Sequence, residues 1–439
     1  MNSGNLNKQD VGQCPYGGNA ASVADATLAD PKVIADPHPL YRVLRSEDPV
    51  HYDPQLKMYL VTRYEDLQKV LSDPITFSVK HGYDEQHAKG FREEYEAIME
   101  REGGGFFHDS IGIMNDPPGH TRIRRLLEKA FTARRVKQLE PGTQKIIGDI
   151  IEKIADRGRA EGMSEIAAPF TIGVICEQLG LSQYDAEKIQ RGTEATVAQI
   201  GRMQDHEQMI ANAKENAALQ AFLIEHIRQR QKQPSEDMIS DLVYARLDDD
   251  ENPTLTFPEI VSLSRTLLVG GNHTTMTAMG TLLFVLATQP SVADQLQHVV
   301  DDERLLTRFI EELLRIEPPV IGLSRMTTRE VELGGKTLPA GAHMLLVYGS
   351  GNDDEKEFQH PREFDMNRGN LGRHLSFGAG VHRCVGLALA RMEIKIAARE
   401  ISRRLDNIRL AVPLEQLKFL NSIASRTIDG LPLTFSRRT

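Results

Sequence analysis

The segment that decides the fold reads Phe377-Gly378-Ala379-Gly380-Val381-His382-Arg383-Cys384-Val385-Gly386. Its run of three small residues allows the backbone of a loop to approach a flat ligand closely. Cys384 comes directly before a predicted helix over 387–404. Unpaired N–H groups and the positive end of the helix dipole stabilise a thiolate there. Such a thiolate is a strong axial donor for a heme iron. The alternative is a buried structural cysteine on a Gly-rich turn.

The composition is that of a large globular protein. The chain has 439 residues, 40% of them apolar and 26% charged, which is enough for a large core without disulfides or metal ions. Its 52 basic residues against 62 acidic residues give a net charge of −10. Because an acidic protein repels the phosphate backbone, no nucleic-acid partner is expected. The abundance of Leu, Ile, Val and Phe argues against disorder.

The cysteines and the N-terminal residues indicate the cellular compartment of the protein. Cys14, Cys176 and Cys384 are too few for a disulfide framework and have no zinc-site spacing, which favours a reducing compartment. Cys14 and Cys176 are interpreted as non-functional. The first residues are polar and lack a signal-peptide pattern, and no run of about 20 apolar residues occurs. We therefore expect a cytoplasmic protein without a membrane span.

Helical and strand-like segments are separated along the chain. Residues 118–318 have an almost continuous helical pattern, whereas 329–338 predicts a hairpin and 343–348 another strand. This segregation indicates an α+β fold, mostly α, with small β-sheets. We expect a loosely ordered N-terminal arm over 1–35 and one large domain over 36–439.

A long helix is predicted over about 256–288. The residues Thr256-Phe257-Pro258-Glu259 form a capping box with proline in the first turn. A helix of this length spans roughly 50 Å and crosses a whole domain. Its middle reads Val269-Gly270-Gly271-Asn272-His273-Thr274-Thr275. Each interior glycine costs about 1 kcal/mol relative to alanine, so either close approach of a bound group or tight helix packing must offset this cost.

Two other segments carry charged pairs at helical spacing. Glu312 and Arg315 stand three residues apart and share a helix face. In the segment Asp116-Pro117-Pro118-Gly119-His120-Thr121-Arg122-Ile123-Arg124-Arg125, the side chains of His120 and Arg124 share a face and suit a carboxylate or phosphate. An ordinary solvated basic face is the alternative for the second segment.

Together these four segments resemble the cytochrome P450 superfamily, the heme-thiolate monooxygenases. The match includes the full pattern F-x-x-G-x-H-x-C-x-G and the E-x-x-R that precedes it, in the expected order along the chain. The resemblance implies one P450-type domain with a long central helix, a helical heme-binding core and small β-sheets. It also implies heme b (iron protoporphyrin IX) as the cofactor.

The resemblance also implies roles for individual residues. Cys384 is the expected iron ligand, in a loop shaped by Phe377, Gly378, Gly380 and Gly386. The residues expected to bind the heme propionates are His120, Arg124, Arg325 and His382. The expected buried network beneath the heme consists of Glu312, Arg315 and Arg368. Thr274 is expected to line the oxygen groove and to supply protons, since its hydroxyl both donates and accepts.

His273 is a departure from the family, which usually has an acid just before the threonine. An imidazole with an ordinary pKa of about 6.5 titrates near neutrality. If His273 relays protons, turnover depends on pH near that value. In the alternative, the ring points away and water alone feeds Thr274.

The activity implied is oxygen insertion into an unactivated C–H bond of a small hydrophobic molecule, such as a terpenoid, steroid or aromatic compound, by hydroxylation or oxidative dealkylation. O2 is the second substrate. Electrons are expected from a ferredoxin-type donor with its reductase, docking near Cys384 on a basic patch of Arg122, Arg125 and Arg391. Two rivals remain: a peroxide-driven enzyme or nitric-oxide reductase on the same scaffold, and a non-catalytic heme sensor. The expected pocket lining, besides the 80–112 region, is Leu267, Gly271, Thr275, Val320 and Leu323.

Overall fold

The computed structural model of the chain describes residues 22–80, 91–107, 111–130, 133–182, 185–201 and 203–438. Its helices are α1 (Pro31–Ala35), α2 (His38–Glu47), α3 (Tyr64–Ser72), α4 (Phe91–Glu102), α5 (Gly119–Ala130), α6 (Ala133–Ala155), α7 (Ala168–Leu179), α8 (Ala186–Gly201), α9 (His206–Lys232), α10 (Met238–Val243), α11 (Phe257–Thr288), α12 (Pro290–Val299), α13 (Glu303–Ile316), α14 (Tyr348–Asn352) and α15 (Leu387–Arg404).

The strands are short and lie mostly before the long helices or after them. They are β1 (Val50–Asp53), β2 (Met58–Val61), β3 (Phe77–Ser78), β4 (Arg159–Glu161), β5 (Leu323–Thr327), β6 (Val331–Leu333), β7 (Lys336–Leu338), β8 (His343–Leu346), β9 (Leu405–Leu410), β10 (Lys418–Phe419), β11 (Ile428–Asp429) and β12 (Pro432–Arg437). This is the α+β, mostly α architecture that the sequence predicts.

Helix α11 runs through the middle of the helical part. It packs against α7, α8, α9 and α15, so that most of its side chains are buried. The predicted capping box is present, because Thr256 accepts the N–H of Glu259 at 3.4 Å and the Glu259 carboxylate accepts the N–H of Thr256 at 2.7 Å. The helix ends before Pro290, which starts α12.

The sheets hold the segments that flank the helices. The largest has the order β1-β2-β8-β5-β3, with β2 and β8 parallel and the other pairs antiparallel. Strands β6 and β7 form the predicted hairpin around Gly334-Gly335, which is confirmed. β4, β12 and β9 form a second sheet beside α11. The C-terminal strands thus return to the central helix.

The N-terminal arm predicted over 1–35 needs a correction in its second part. Residues 22–35 pack on the domain, with Ala26 and Leu28 buried. The buried Asp53 carboxylate accepts hydrogen bonds from the Thr27 hydroxyl and the Leu28 N–H, both at 2.9 Å. The small and polar composition of the segment obscured these few anchoring residues. The first part of the predicted arm, residues 1–21, lies outside the described residues.

A membrane span was not expected from the sequence. Within the described ranges, no single helix is long and apolar enough to cross a membrane. Helices α11 and α12 meet the length and composition criteria only when taken together, and they are bent by 112° at their junction.

Candidate active site

The loop before α15 is closed by its own backbone. The Cys384 N–H donates to the Phe377 carbonyl at 2.9 Å and holds the ends of the loop together. Gly378 and Gly380 have φ of 62° and 68°, in the left-handed region that favours glycine. A Cβ on Gly380 would lie 2.1 Å from the carbonyl oxygen of Leu71 in α3. Only glycine therefore allows the loop to lie this close to α3.

The Cys384 sulfur lies at the start of α15. Its Sγ accepts a hydrogen bond from the Gly386 N–H, as expected for a thiolate site at a helix N-terminus. Burial among protein atoms nevertheless raises the pKa of the thiol, and this outweighs the opposing effects of Gly386, Arg124 and Arg391. The side chain still has open surface. A bound metal centre reverses this balance, because a coordinating thiol is deprotonated.

Four nitrogen-bearing side chains converge near the loop, two from α5, one from β5 and one from the loop itself. The rings of His120 on α5 and His382 lie 4.3 Å apart between centroids. Both nitrogens of His120, which is 1% exposed, and Nε2 of His382 are buried without a hydrogen-bond partner among the described residues. Burial, with the charges of Arg325 and Arg124, lowers the pKa of His382 to about 3. Unpaired buried nitrogens of this kind require a partner.

Arg325 adds a buried cation to this group. It lies on β5 with only 4% of its surface exposed, and it donates to the Ser324 carbonyl at 2.8 Å and to the Tyr348 hydroxyl. No carboxylate of the described residues pairs with it. Arg124 donates to Glu128 and to the Arg383 carbonyl, both at 2.6 Å. The group therefore fits a ligand with carboxylates at one edge, as heme propionates are.

The residues of the predicted buried network lie together. Glu312 and Arg315 are fully buried and form two hydrogen bonds of 2.8 and 2.9 Å, and Arg368 donates to the same carboxylate at 2.9 Å. Arg315 also donates to the carbonyls of Asn352 and Pro361 at 2.8 and 2.5 Å. Both guanidinium groups and the carboxylate are thus satisfied, which a buried charge cluster requires.

Helix α11 has an open face in its middle. Gly270 is exposed, and a Cβ built there meets nothing within 4 Å. One turn later, the Thr274 hydroxyl donates to the Gly270 carbonyl at 2.7 Å. A hydroxyl that donates in this direction keeps its lone pairs free to accept. Thr274 can therefore accept a hydrogen bond from a water or from a bound molecule in the groove.

His273 is buried, at about a quarter turn of the helix from Thr274. Burial alone lowers its pKa to about 4. The imidazole is therefore neutral at ordinary working pH. Any pH dependence of turnover that arises from His273 is expected near pH 4 and not near pH 6.5. As a neutral ring it both donates and accepts one hydrogen bond.

The face of α11 predicted to line the pocket contains Gly271, whereas the open face in the structure contains its neighbour Gly270. A Cβ on Gly271 would lie 3.0 Å from Ile175 of α7. Thr275 is buried and hydrogen-bonded to Glu393 of α15, and Leu267 belongs to the apolar core. These three residues therefore contact neighbouring helices, whereas the open face of α11 carries Gly270 and Thr274.

Beside α11, an outer wall is formed by residues 200–201, 320–323 and 420–427, which are far apart in sequence. The Thr277 and Thr427 hydroxyls are hydrogen-bonded at 2.9 Å, and Val320 forms a β-bridge with Ser425. Ser422 lies against Gly201 at the end of α8. Three exposed apolar side chains occur on these segments, namely Ile200, Leu323 and Leu420. Of the predicted lining, Val320 and Leu323 lie on this wall; Ile200 and Leu420 were not predicted.

A family comparison decides the identity of this arrangement. The model of the family described as cytochrome P450 matches residues 79–407. The chain belongs to the cytochrome P450 family. Cytochrome P450 107B1 of Saccharopolyspora erythraea is 33% identical to it, over 94% of this chain and 98% of that protein. Cytochrome P450 monooxygenase PikC of Streptomyces venezuelae is 32% identical, over 92% of each chain.

Solved structures agree with this assignment. The P450 heme domain of Tepidiphilus thermophilus superposes with a TM-score of 0.83 at 28% identity, covering 94% of this chain and 97% of that chain. The protein is accordingly a P450 monooxygenase, an oxidoreductase, and its cofactor is heme b. Heme b, when bound, supplies oxygen activation. The P450 chain itself brings together the Cys384 sulfur, a group of imidazole and guanidinium side chains, and the Thr274 hydroxyl on an open face of α11.

Proposed function

We propose that this P450 inserts one oxygen atom of O2 into a C–H bond of a small hydrophobic molecule, by hydroxylation or oxidative dealkylation. In the hydroxylation, R–H, O2, two electrons and two protons give R–OH and water. The observation that carries the proposal is the Cys384 sulfur, held before α15 by a loop that its own N–H closes.

The geometry of the site supports the following proposed residue roles. Cys384 is the proposed iron ligand, and the loop residues Phe377, Gly378, Gly380 and Gly386 place it. The proposed propionate ligands are His120, Arg124, Arg325 and His382. Thr274 accepts a hydrogen bond in the groove and passes a proton on, and neutral His273 assists through a water if its ring turns toward Thr274.

A hydrophobic substrate is favoured by the outer wall. Ile200, Leu323 and Leu420 expose 42%, 36% and 40% of their surface on segments that meet beside α11. Apolar surface of this kind binds ligands that leave water readily. We infer a substrate class of terpenoid, steroid or aromatic size. A screen of such compounds for a Soret shift, with heme-loaded protein, identifies the members that displace an iron-bound water.

Electrons are proposed to come from a ferredoxin-type donor with its reductase, in the cytoplasm. The basic patch expected for docking differs in the structure, because each arginine is paired with a carboxylate: Arg122 with Glu259, Arg125 with Asp249, and Arg391 with Glu311. The acidic turn 248–251 and α13 supply two of these partners. Arg383 remains exposed beside Cys384 and supports docking at this face. Turnover with ferredoxin, reductase and NADH tests the donor.

The decisive experiment concerns the iron ligand. Reduced protein under carbon monoxide should show the red-shifted Soret band of a thiolate ligand, and Cys384→His should move it to the position of an imidazole-ligated heme. Cys176→Ala is the matched control, because burial raises the pKa of that thiol to about 12 and makes it a poor ligand. An unchanged band in Cys384→Ala would falsify the assignment.

A peroxide-driven reaction is the second candidate, and the observation that favours it is His273. A neutral imidazole stands where the family usually has an acid, which weakens proton supply from solvent. Product formation with hydrogen peroxide alone, at a rate equal to that with NADH and redox partners, would favour this candidate. NADH-dependent product formation excludes the heme sensor.

A further inference from the structure

Glu311 is a buried carboxylate on α13 whose contacts have no place in the roles given above. It is the residue before Glu312, but it points to a different group of side chains. Its two oxygens accept hydrogen bonds from His374 and Arg391, which lie on either side of the Cys384 loop. One side chain thus contacts both ends of the segment that carries the sulfur.

The first contact fixes the start of the segment. His374 Nε2 lies 3.1 Å from Glu311 Oε2, and its Nδ1 accepts the N–H of Ser376 at 3.3 Å. An Nδ1 that accepts leaves the proton on Nε2, so His374 donates to the carboxylate. The Ser376 hydroxyl donates to the Leu314 carbonyl of the same helix at 2.7 Å. The backbone before Phe377 is therefore bound to α13 at two points.

The second contact fixes the end of the segment. Arg391 on α15 donates to Glu311 through Nε and Nη2, both at 2.6 Å, in a bidentate pair. Its guanidinium lies over the Phe377 ring at 4.6 Å from the centroid. Phe377 in turn supplies the carbonyl that accepts the Cys384 N–H. The guanidinium therefore joins α15, α13 and the loop itself.

The electrostatics show that this is a strong contact. Burial opposes ionisation of Glu311, but the hydrogen bonds from His374 and Arg391 outweigh it and lower its pKa to about 2. The carboxylate side chain is 11% exposed. Glu303 also bridges α13 to α15, through Lys395 and Arg399, but its side chain is 63% exposed and, among the described residues, it pairs only with α15 and not with the start of the loop. A solvated ion pair of that kind contributes little to the free energy that holds two helices together.

We propose that Glu311 is a positioning residue for the Cys384 sulfur, which it places by holding His374 and Arg391 at the two ends of the loop. The inference rests on Cys384 as the iron ligand. Without this clamp of Glu311, His374 and Arg391, α15 and the start of the loop move independently, and the sulfur leaves its position at the iron more often.

The test compares Glu311→Gln with the control Glu303→Gln in heme-loaded protein reduced chemically, so that partner docking has no influence. The rate at which the thiolate-type Soret band of the carbon monoxide complex is lost on mild warming is measured. Loss should be on the order of tenfold faster in Glu311→Gln and unchanged in the control, because one charge-assisted hydrogen-bonded pair is removed. Arg391→Gln should have the same effect as Glu311→Gln.

Unfolding is followed in parallel by circular dichroism, which separates loss of the sulfur ligand from loss of the fold. A faster loss of the band at temperatures where the helical signal is intact supports the clamp. Equal rates in Glu311→Gln and the parent protein, or loss of the band only together with the helical signal, overturn it. A parent protein without the thiolate-type band overturns the ligand assignment itself and the clamp with it.

Discussion

At the scale of single residues, the role proposed for Thr274 gives a direct prediction. Its hydroxyl donates to Gly270 and keeps an accepting lone pair in the groove. Thr274→Ala should leave substrate binding nearly unchanged but lower the ratio of product to NADH consumed on the order of tenfold, with the electrons appearing as hydrogen peroxide. Thr274→Ser retains the hydroxyl and is the control. A normal ratio in the alanine variant would exclude the role.

His273 gives a prediction about pH. Its pKa is about 4 in the folded chain and about 6.5 when unfolded, so the unfolded state takes up the proton first as the pH falls. The stability is therefore full above about pH 6.5 and falls toward pH 4, by up to roughly 3 kcal/mol from this residue. His273→Phe should remove that part of the loss.

The measurement is the free energy of unfolding in urea at pH 7 and pH 4.5. His298→Gln is the control, since His298 is exposed and only caps its own helix turn through the Asp294 carbonyl. His120 and His382 have lowered pKa values as well, but they contribute equally to all three proteins. The same pH dependence in parent and His273→Phe would contradict the prediction.

At the scale of elements, the two adjacent glycines of α11 have different functions. A Cβ on Gly270 meets nothing, so Gly270→Ala should stabilise the helix by about 1 kcal/mol while its methyl group enters the groove and changes the Soret response to substrates. Gly271→Ala must displace Ile175 and should gain less or destabilise. Urea unfolding of both variants tests this; equal stabilisation would contradict it.

Sequence patterns were sufficient for elements whose signals are local. Helix α15 has the predicted bounds, Leu387–Arg404, and α11 begins at its capping box. The sequence alone could not predict which of the two neighbouring glycines of α11 lies on its open face. The answer depends on Ile175, which belongs to another helix and packs against Gly271. Glu311 was missed for a similar reason. Its partners His374 and Arg391 are 63 and 80 residues away in the chain, and no spacing rule joins them.

At the scale of the whole molecule, the network of Glu312, Arg315 and Arg368 ties α13 to the backbone of 352–363. Arg368→Ala removes one of the two guanidinium groups that donate to the Glu312 carboxylate. It also removes the donor to the carbonyls of His360 and Glu363, each of which accepts from Arg368 at 2.8 Å. We expect a loss of about 3–5 kcal/mol in the free energy of unfolding. Arg373→Ala removes a pair with Glu357 in which the arginine side chain is 62% exposed, and it should cost under about 1 kcal/mol. Similar losses in both variants would contradict the buried role.

The segment 22–35 has a practical consequence for anyone who shortens this protein. Arg426 donates to the Ala35 carbonyl at 2.7 Å, and its neighbour Thr427 is bonded to Thr277 on the central helix. The segment 22–35 therefore supports the same loop that lies in the proposed wall of the substrate site. A truncation at residue 36, chosen for expression yield, would alter substrate selectivity at a distance, and trimming should stop before Ser22.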